Sequence, residues 1–249
     1  MARGKCYIGT SGWSYAHWAK GRFYPKGLKP GEWLSFFARH FGTVEINSTF
    51  YRMPKPEMVS RWQQVTGSRF RFAVKLWRRI THQKRLVGCG RELGDFFEVA
   101  RLLGPKRGPL LVQLPPSMRK DVARLETFLA NVKKVIGRSR WKVTIEFRNT
   151  DWLCEQVYEL LDGHGAALCL ADMERCPITE PNDVSFVYVR RHGPGGRYRG
   201  CYAPAHIAAD ADHVRGWLQA GKDVFVYYNN DIGGRAVDNA GQLIEAVGT

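Results

Sequence analysis

The sequence predicts an α/β fold, a single (β/α)8 TIM-type barrel over residues 1–249. Three observations support this prediction. The chain has 249 residues, close to the ~250 typical of one such barrel. Eight short apolar runs are spread along it, most of them separated by helical patterns, and seven of the eight end on a polar residue. Polar residues at the carboxyl ends of successive buried strands are what this fold places around its active-site mouth.

The predicted strands are Cys6–Thr10, Thr43–Asn47, Arg71–Lys75, Leu110–Gln113, Trp141–Glu146, Ala167–Asp172, Phe186–Arg190 and Val224–Asn229. Side chains alternate between the two faces of a strand. In the second strand Val44 and Ile46 therefore share one face, and Glu45 and Asn47 share the other. A carboxylate and an amide then point in the same direction from a buried element.

Helical patterns between these runs predict helices over Glu32–Phe41, 56–65, Glu92–Leu103, Asp121–Ile136, a segment between Thr150 and Gly165, Asp210–Ala220 and a closing segment after Gly234. The sixth interval differs. Residues 173–183 contain Pro177 and Pro181 and have no room for a full helix. The sixth βα unit is therefore predicted to be degenerate.

Charge is distributed unevenly along the chain. The formal net charge is +15, made up of +21 over residues 1–148 and −6 over residues 149–249. The segment 61–107 alone carries twelve Lys and Arg against three acidic residues. Such a field attracts polyanions, of which nucleic acid is the usual one. The alternative is a solvated basic surface with no such partner.

Other features of the sequence indicate the cellular compartment. No apolar run approaches the ~20 residues of a membrane span, and the N-terminus has no signal-peptide core. The six cysteines form no CxxC pair and no zinc-finger spacing. We expect a cytoplasmic protein with reduced cysteines and no membrane partner.

Charged residues at or just beyond strand ends are the catalytic candidates: Glu45, Lys75, Glu146, Asp172 and His192. Two carboxylates and a lysine inside one mouth suit acid–base chemistry, because burial and mutual proximity shift their pKa values. Glu146 is the preferred general base, with Lys75 as its electrostatic partner or as the acid. The alternative is a set of ion pairs that hold the barrel closed, such as Glu45 with Lys75 or Glu146 with Arg148.

The expected substrate-binding residues lie at the same end of the barrel: Trp13, Asn47, Tyr51, Gln113, Arg148, Arg190, Asn229, Asn230 and Asp231. Loop aromatics there, which also include Tyr15, Trp18, Phe50 and Trp77, can stack on bases or sugar rings, or simply plug the mouth. Gly233 and Gly234 directly precede the last predicted helix. Together with Arg235 they form a predicted phosphate site, since helix N-termini bind anions.

No metal cofactor is predicted, because only His82 and His192 lie near strand ends. A minority alternative is a divalent metal held by Glu146, Asp172 and His192, which follow three successive strands.

Several stretches resemble the YecE-like family, a bacterial and archaeal family of unknown function: Ile8–Tyr15, Thr43–Tyr51, Gln113–Pro116, Glu146–Arg148, the Arg190 and His192-Gly193 pair, and Tyr228–Asp231. The resemblance spans nearly the whole chain. It implies a TIM-type barrel related in shape to sugar isomerases and apurinic-site endonucleases, and it implies no settled activity. Asn149 stands where the family usually has a histidine.

These features favour a barrel that binds a phosphate-bearing ligand, nucleic acid above all, at its C-terminal mouth, as a phosphodiesterase or repair-type hydrolase. The alternative is a small-molecule isomerase or lyase acting on a phosphorylated sugar or a related metabolite. A partner-binding scaffold without catalysis ranks last. The sequence leaves the substrate, the choice of DNA or RNA, and the oligomeric state open.

Overall fold

In the computed structural model, which describes residues 3–139 and 141–248, the predicted strands form a closed barrel. Met1, Ala2, Arg140 and Thr249, which the predicted domain includes, lie outside the described residues. The strands are β1 (Cys6–Ser11), β2 (Thr43–Ile46), β3 (Arg71–Lys75), β4 (Arg107–Gln113), β5 (Val143–Glu146), β6 (Ala166–Met173), β7 (Cys176–Ile178), β8 (Phe186–Arg191) and β9 (Asp223–Tyr228).

Eight of these strands are parallel, in the order β5-β4-β3-β2-β1-β9-β8-β6, and pairing of β5 with β6 closes the barrel. The short β7 pairs antiparallel with β6, so a hairpin stands where a sixth helix would lie. Pro177 sits in β7, an edge strand, which is where a sheet tolerates a residue without an N–H. The predicted fold class is confirmed, including its degenerate sixth unit.

The helices are α1 (Trp33–Phe37), α2 (Ser48–Tyr51), α3 (Pro56–Gln64), α4 (Gly90–Ala100), α5 (Val122–Ile136), α6 (Glu155–His164), α7 (Pro204–Gln219) and α8 (Arg235–Val247). Two differ clearly from the predicted bounds. The first is shorter than predicted, and α7 begins six residues earlier, at Pro204, whose fixed φ suits a first helical position. Over the described residues, no helix combines the length and the apolar character that a bilayer crossing requires.

Alternation along the strands separates two hydrophobic layers. Residues such as Val44 and Ile46 belong to the large outer core that the helices cover. A smaller inner cluster fills the barrel and includes Tyr188, Phe225 and Tyr227. The side chain of Glu45 also lies inside, where Tyr188 contacts it, as the alternation predicts. The charged site begins on this inward-facing row.

Candidate functional site

Arg190, near the end of β8, is fully buried and holds two carboxylates at once. Its Nε and Nη2 donate to the two oxygens of Glu45 on β2, at 3.0 and 2.8 Å. Its Nη1 donates to Oε2 of Glu146 on β5 at 2.7 Å. Both glutamates have 0% exposure. Since buried carboxylates need charged partners, Arg190 is the common counter-ion for strands on different sides of the barrel.

Glu45 has no free oxygen. Besides Arg190, the hydroxyls of Ser11 and Tyr188 each donate to it at 2.7 Å. Burial alone would raise the pKa of Glu45, but the charge and hydrogen bonds of Arg190 hold this pKa below its usual value. Glu45 is therefore ionised and fully partnered.

Glu146 forms an ion pair with a second arginine, although its Oε1 has no partner with hydrogen-bond geometry among the described residues. Nη2 of Arg148 lies 2.5 Å from its Oε1. Burial alone would raise the pKa of Glu146, but Arg148 and then Arg190 lower it well below the usual range. The predicted pair of Glu146 with Arg148 is thus present, whereas Glu45 pairs with Arg190 and not with Lys75. Two carboxylates balance two guanidinium groups.

His192 completes this cluster as a neutral ring. Its Nε2 lies 3.1 Å from Nη1 of Arg190 and 3.2 Å from Nη2 of Arg148, so Nε2 accepts. The proton then belongs on Nδ1, which lies 3.3 Å from Oδ1 of Asp172. Burial lowers the pKa of His192, and the hydrogen bond to Asp172 only partly offsets this.

Above the cluster, a cavity of about 920 Å³ opens at the carboxyl ends of the parallel strands. Among the described residues it is lined by three cationic side chains, Lys75, Arg78 and Arg190, and by no carboxylate. Aromatic and amide side chains supply most of the remaining lining: Trp13, Tyr15, Phe50, Tyr51, Trp62, Tyr198, Asn47, Gln113 and Asn229. The volume falls within the ~300–1,000 Å³ of small-ligand sites.

Lys75, the last residue of β3, is 8% exposed and faces this cavity. Its Nζ lies 4.3 Å from the ring centroid of Phe50. Within the described part of the chain, this nitrogen makes no hydrogen bond and no salt bridge. Burial lowers the pKa of Lys75 to about 7, the charge of Arg190 adds to this, and the two buried glutamates oppose it. A substantial fraction of Lys75 is therefore uncharged at neutral pH.

Two neighbours of Lys75 also lack charged partners. His82, in a π-helical turn over Arg79–Gln83, packs edge-on against Phe50 with centroids 4.9 Å apart. Burial, and then the charge of Lys75, lower the pKa of His82 to about 4, so His82 is neutral at pH 7. Oδ1 of Asn47 is buried and has no hydrogen-bond partner among the described residues. A buried acceptor without a donor is uncommon in folded proteins.

The sequence profile of a family described as "Protein of unknown function DUF72" matches residues 7–249. The chain belongs to this family. The resemblance to YecE-like proteins is thereby confirmed. The UPF0759 protein YecE of Escherichia coli K12 is 38% identical over 109 residues, which cover 44% of this chain and only 37% of YecE. The UPF0759 protein YunF of Bacillus subtilis is 27% identical over an alignment that covers 96% of this chain and 93% of YunF.

Solved structures agree with this assignment. A DUF72 family protein of Thermotoga maritima superposes with a TM-score of 0.84 at 25% identity, covering 98% of this chain and 100% of the other. One of Enterococcus faecalis gives 0.83 at 20% identity, covering 98% and 96%. A D-allulose 3-epimerase of Methylomonas sp. gives 0.53 at 14% identity, covering 100% and 99%, and shows a shared fold alone.

In this DUF72 protein the predicted site residues fall into three groups. Those that line the cavity are Lys75, Trp13, Asn47, Tyr51, Gln113, Arg190 and Asn229. Those that belong to the ion cluster below it are Glu45, Glu146, Arg148 and His192, together with Arg190 itself. The others line neither the cavity nor the ion cluster itself, although Asp172 touches the cluster through its hydrogen bonds to His192. Asp172 borders a separate cavity of about 270 Å³, and Asn230 bonds to Gly200 and Asn239. Asp231 bonds to Trp18.

The predicted phosphate corner is also separate from the cavity. Helix α8 begins at Arg235, directly after Gly234, whose φ of 69° favours glycine. However, Nη2 of Arg22 donates to the carbonyl of Gly234 at 2.9 Å and also pairs with Asp238. Arg235 lies 3.8 Å from the same carboxylate. A guanidinium and a carboxylate already occupy this corner in the DUF72 protein.

The trio of Glu146, Asp172 and His192 does not fit a divalent metal. Guanidinium groups face both oxygens of Glu146, and Nε2 of His192 accepts from arginines. Over residues 3–139 and 141–248, no group of three or more His, Cys, Asp or Glu side chains is arranged to hold an ion.

Sequence reasoning did not select several cavity residues, among them Met58, Trp62, Arg78 and Tyr198. Arg78 could have been found, since it follows strand-end Lys75 by three residues within the basic segment. Tyr198 could not have been found, because it lies in a glycine-rich loop that folds back toward the cavity. There Nη1 of Arg148 donates to the Tyr198 hydroxyl at 3.0 Å. Trp18 is fully buried in the large outer core, so its ring is not available to a ligand.

Proposed function

We propose that the mouth cavity of this DUF72 protein binds a phosphate-bearing ligand, and that this ligand is a nucleic acid strand with an unpaired base. One observation carries the proposal. The cavity has three cationic side chains, no carboxylate among the described residues, and aromatic rings beside them. This combination suits an anion that carries a planar ring.

The electrostatic part of the proposal rests on Arg78 and Lys75. The charge of Arg190 is already matched by Glu45 and Glu146. Arg78 is exposed at the cavity wall, and Lys75 adds a positive charge whenever it is protonated. The strongly basic segment 61–107 provides the longer-range field that attracts a polyanion.

The aromatic part favours a single strand. Tyr51 is 67% exposed at the cavity rim, and Trp13 lies half-buried in the same wall. Exposed rings of this kind stack on bases, whose faces are covered by neighbouring bases in a duplex and become accessible in a flexible single strand.

A catalytic step would involve Lys75 rather than Glu146. The oxygens of Glu146 face two guanidinium groups and are out of contact with solvent. Lys75 is the cavity side chain with a pKa near 7, which is where proton transfer at neutral pH is most effective. A phosphodiesterase or repair-type hydrolase at this site would therefore use Lys75 for proton transfer.

Fluorescence anisotropy with a short dye-labelled single strand, its duplex and a mononucleotide tests the binding. We expect the single strand to bind most tightly and its affinity to fall steeply with salt. The Arg78→Gln variant should weaken binding and reduce the salt slope by about 0.7, as expected for one phosphate contact to a single strand. Arg215→Gln, on α7 and outside the cavity, is the matched control. Binding that ignores salt, or equal effects of both variants, would contradict the proposal.

The volume of about 920 Å³ favours a second candidate, a phosphorylated sugar or related metabolite processed by an isomerase or lyase. A thermal-shift comparison of sugar phosphates with mononucleotides distinguishes the two. Stabilisation by a sugar phosphate, together with no oligonucleotide binding, would favour this candidate.

A further inference from the structure

We propose that Lys75 is a covalent nucleophile, which forms an imine with an aldehyde or ketone group of a ligand in the mouth cavity. This inference rests on the proposed function, because it takes the same cavity as the ligand site and adds a carbonyl group to the ligand's chemistry. The geometry that carries it is a lysine with 8% exposure that faces a large cavity, and whose amine makes no hydrogen bond or salt bridge among the described residues.

The amine is left unpaired by the charges around it. Below Lys75, two carboxylates and two guanidinium groups already balance one another, so no surplus negative charge is available to hold an ammonium ion. Structural lysines in buried positions normally have a carboxylate or carbonyl partner, as Lys106 has with the carbonyl of Thr66 at 2.6 Å. Lys75 has none within the described residues.

The surroundings of Lys75 favour its neutral form, which is the nucleophilic one. Burial and the charge of Arg190 bring the pKa of its ammonium group to about 7. The charged groups that shift the pKa of Lys75 lie on several elements of the barrel: Arg190, Glu146, Glu45 and Arg148. The adjacent His82 is neutral at pH 7. The ring of Phe50, 4.3 Å from Nζ, is a cation–π contact that favours the ammonium form, so it acts against the effects of burial and Arg190, but it offers no proton acceptor.

The reaction needs only the amine and the carbonyl group. Nζ attacks the carbonyl carbon to form a C–N bond, and the π electron pair moves to oxygen, which gains a proton that nitrogen loses. The resulting hydroxyl then takes up the second proton from nitrogen and leaves as water, while C=N forms. One amine and one carbonyl give one imine and one water, with no change in oxidation state.

The test uses three related probes and reduction by borohydride, which converts an imine to a stable secondary amine. Pyridoxal 5′-phosphate carries a ring, a phosphate and an aldehyde, pyridoxal lacks the phosphate, and pyridoxine 5′-phosphate lacks the aldehyde. After reduction, peptide mapping by mass spectrometry locates the adduct. We expect Lys75 to be the dominant site for both aldehydes, and its labelling to rise with a midpoint near pH 7.

Variants make the assignment specific. Lys75→Arg keeps a cation but cannot form an imine, so the dominant adduct should disappear. Lys84→Arg, which alters a lysine paired with Glu92, should retain it. Adducts spread over surface lysines without enrichment at Lys75 would overturn the proposal.

The probes also separate this inference from the proposed function. If pyridoxine 5′-phosphate displaces the dye-labelled single strand but neither aldehyde forms an adduct at Lys75, the result would support anion binding and overturn the imine. An adduct at Lys75 that forms equally well with pyridoxal and pyridoxal 5′-phosphate would support the imine and count against the phosphate site.

Discussion

The barrel mouth contains two groups of polar side chains that differ in whether their charges are matched. The paired set, at the base of the mouth, consists of Glu45, Glu146, Arg148, Arg190 and His192. Each of its glutamates faces a guanidinium group, and its carboxylates and guanidiniums sum to zero charge.

The open set, Lys75, Asn47, Phe50 and His82, lines the cavity above. It contains an amine and an amide oxygen that have no partner among the described residues. The comparison teaches that a charged residue at a strand end is not necessarily available for chemistry. The charged groups of the paired set contact one another, whereas the side chains of the open set border the cavity.

Removing the common counter-ion should have the largest effect. Arg190→Met leaves Glu45 and Glu146 buried with too little positive charge, so we expect unfolding by urea to require about 3–5 kcal/mol less free energy. Arg197→Met, which breaks an exposed pair with Glu174, is the control and should change little. Equal stability of both variants would mean that the paired set does not hold the barrel.

Removing the amine of Lys75 should raise the free energy of unfolding at low pH, the opposite of the effect of Arg190→Met. The folded-state pKa of Lys75, about 7, lies below its ordinary 10.5, so the folded protein binds fewer protons between these values. Lys75 therefore destabilises the fold fully below pH 7, and this cost disappears as the pH rises towards 10.5. Lys75→Met should be more stable than the parent at pH 6, with an upper limit of about 5 kcal/mol at ~1.4 kcal/mol per pKa unit.

Urea denaturation from pH 6 to 10 measures this difference. The stabilisation should shrink steadily with rising pH, whereas Lys84→Met, which removes the partner of buried Glu92, should destabilise the protein instead. A Lys75→Met variant that is less stable than the parent at pH 6 would show that Lys75 is a paired structural residue.

Tyr51, at the rim of the cavity, should affect ligand binding without affecting the stability of the fold. Tyr51→Ala removes an exposed ring, and we expect single-strand affinity to fall about tenfold, within the ~1–3 kcal/mol typical of one base–aromatic contact. Ile232→Ala removes a similarly exposed apolar side chain outside the cavity and serves as the control in the same anisotropy titration. Unchanged affinity in Tyr51→Ala would argue against stacking at this rim.

The smallest expected effect is on the pH dependence of binding. Lys75 loses its charge as the pH rises through about 7, so oligonucleotide affinity should fall by about fivefold between pH 6 and 8, the loss of roughly one ionic contact. Phosphodiesters do not titrate in this range. The Lys75→Arg variant should show a flat profile, and a pH step retained in that variant would assign the titration to another group.

Much of the fold could be predicted because local patterns determine it. Each of the eight parallel strands was visible as a short apolar run, and Pro177 and Pro181 marked the missing sixth helix, although the short β7 that contains Pro177 was not predicted. Alternation along β2 correctly placed Glu45 inside and Val44 outside. Helix bounds were less certain where propensity and packing compete, as in α7, where buried Ile207 and Ala211 extend the helix back to Pro204.

The site could be predicted only in part. Strand ends identified which polar residues reach the mouth, but the pairing among them depends on the stagger of strands around the barrel, which no local pattern reveals. Arg190 reaches Glu45 and Glu146 because β8, β2 and β5 all direct these side chains into one interior. Likewise, Arg22 reaches the last helix from a distant loop, and nothing near Gly234 in the sequence indicates it.

The contact between Arg190 and Glu45 also has a kinetic consequence, because these residues are 145 positions apart in the chain. Such a contact forms only after the first and last thirds of the polypeptide have met, late in the folding reaction. Interactions made after the transition state change the unfolding rate more than the folding rate. We therefore expect this ion pair to determine how long the barrel stays closed, and to contribute little to how fast it assembles.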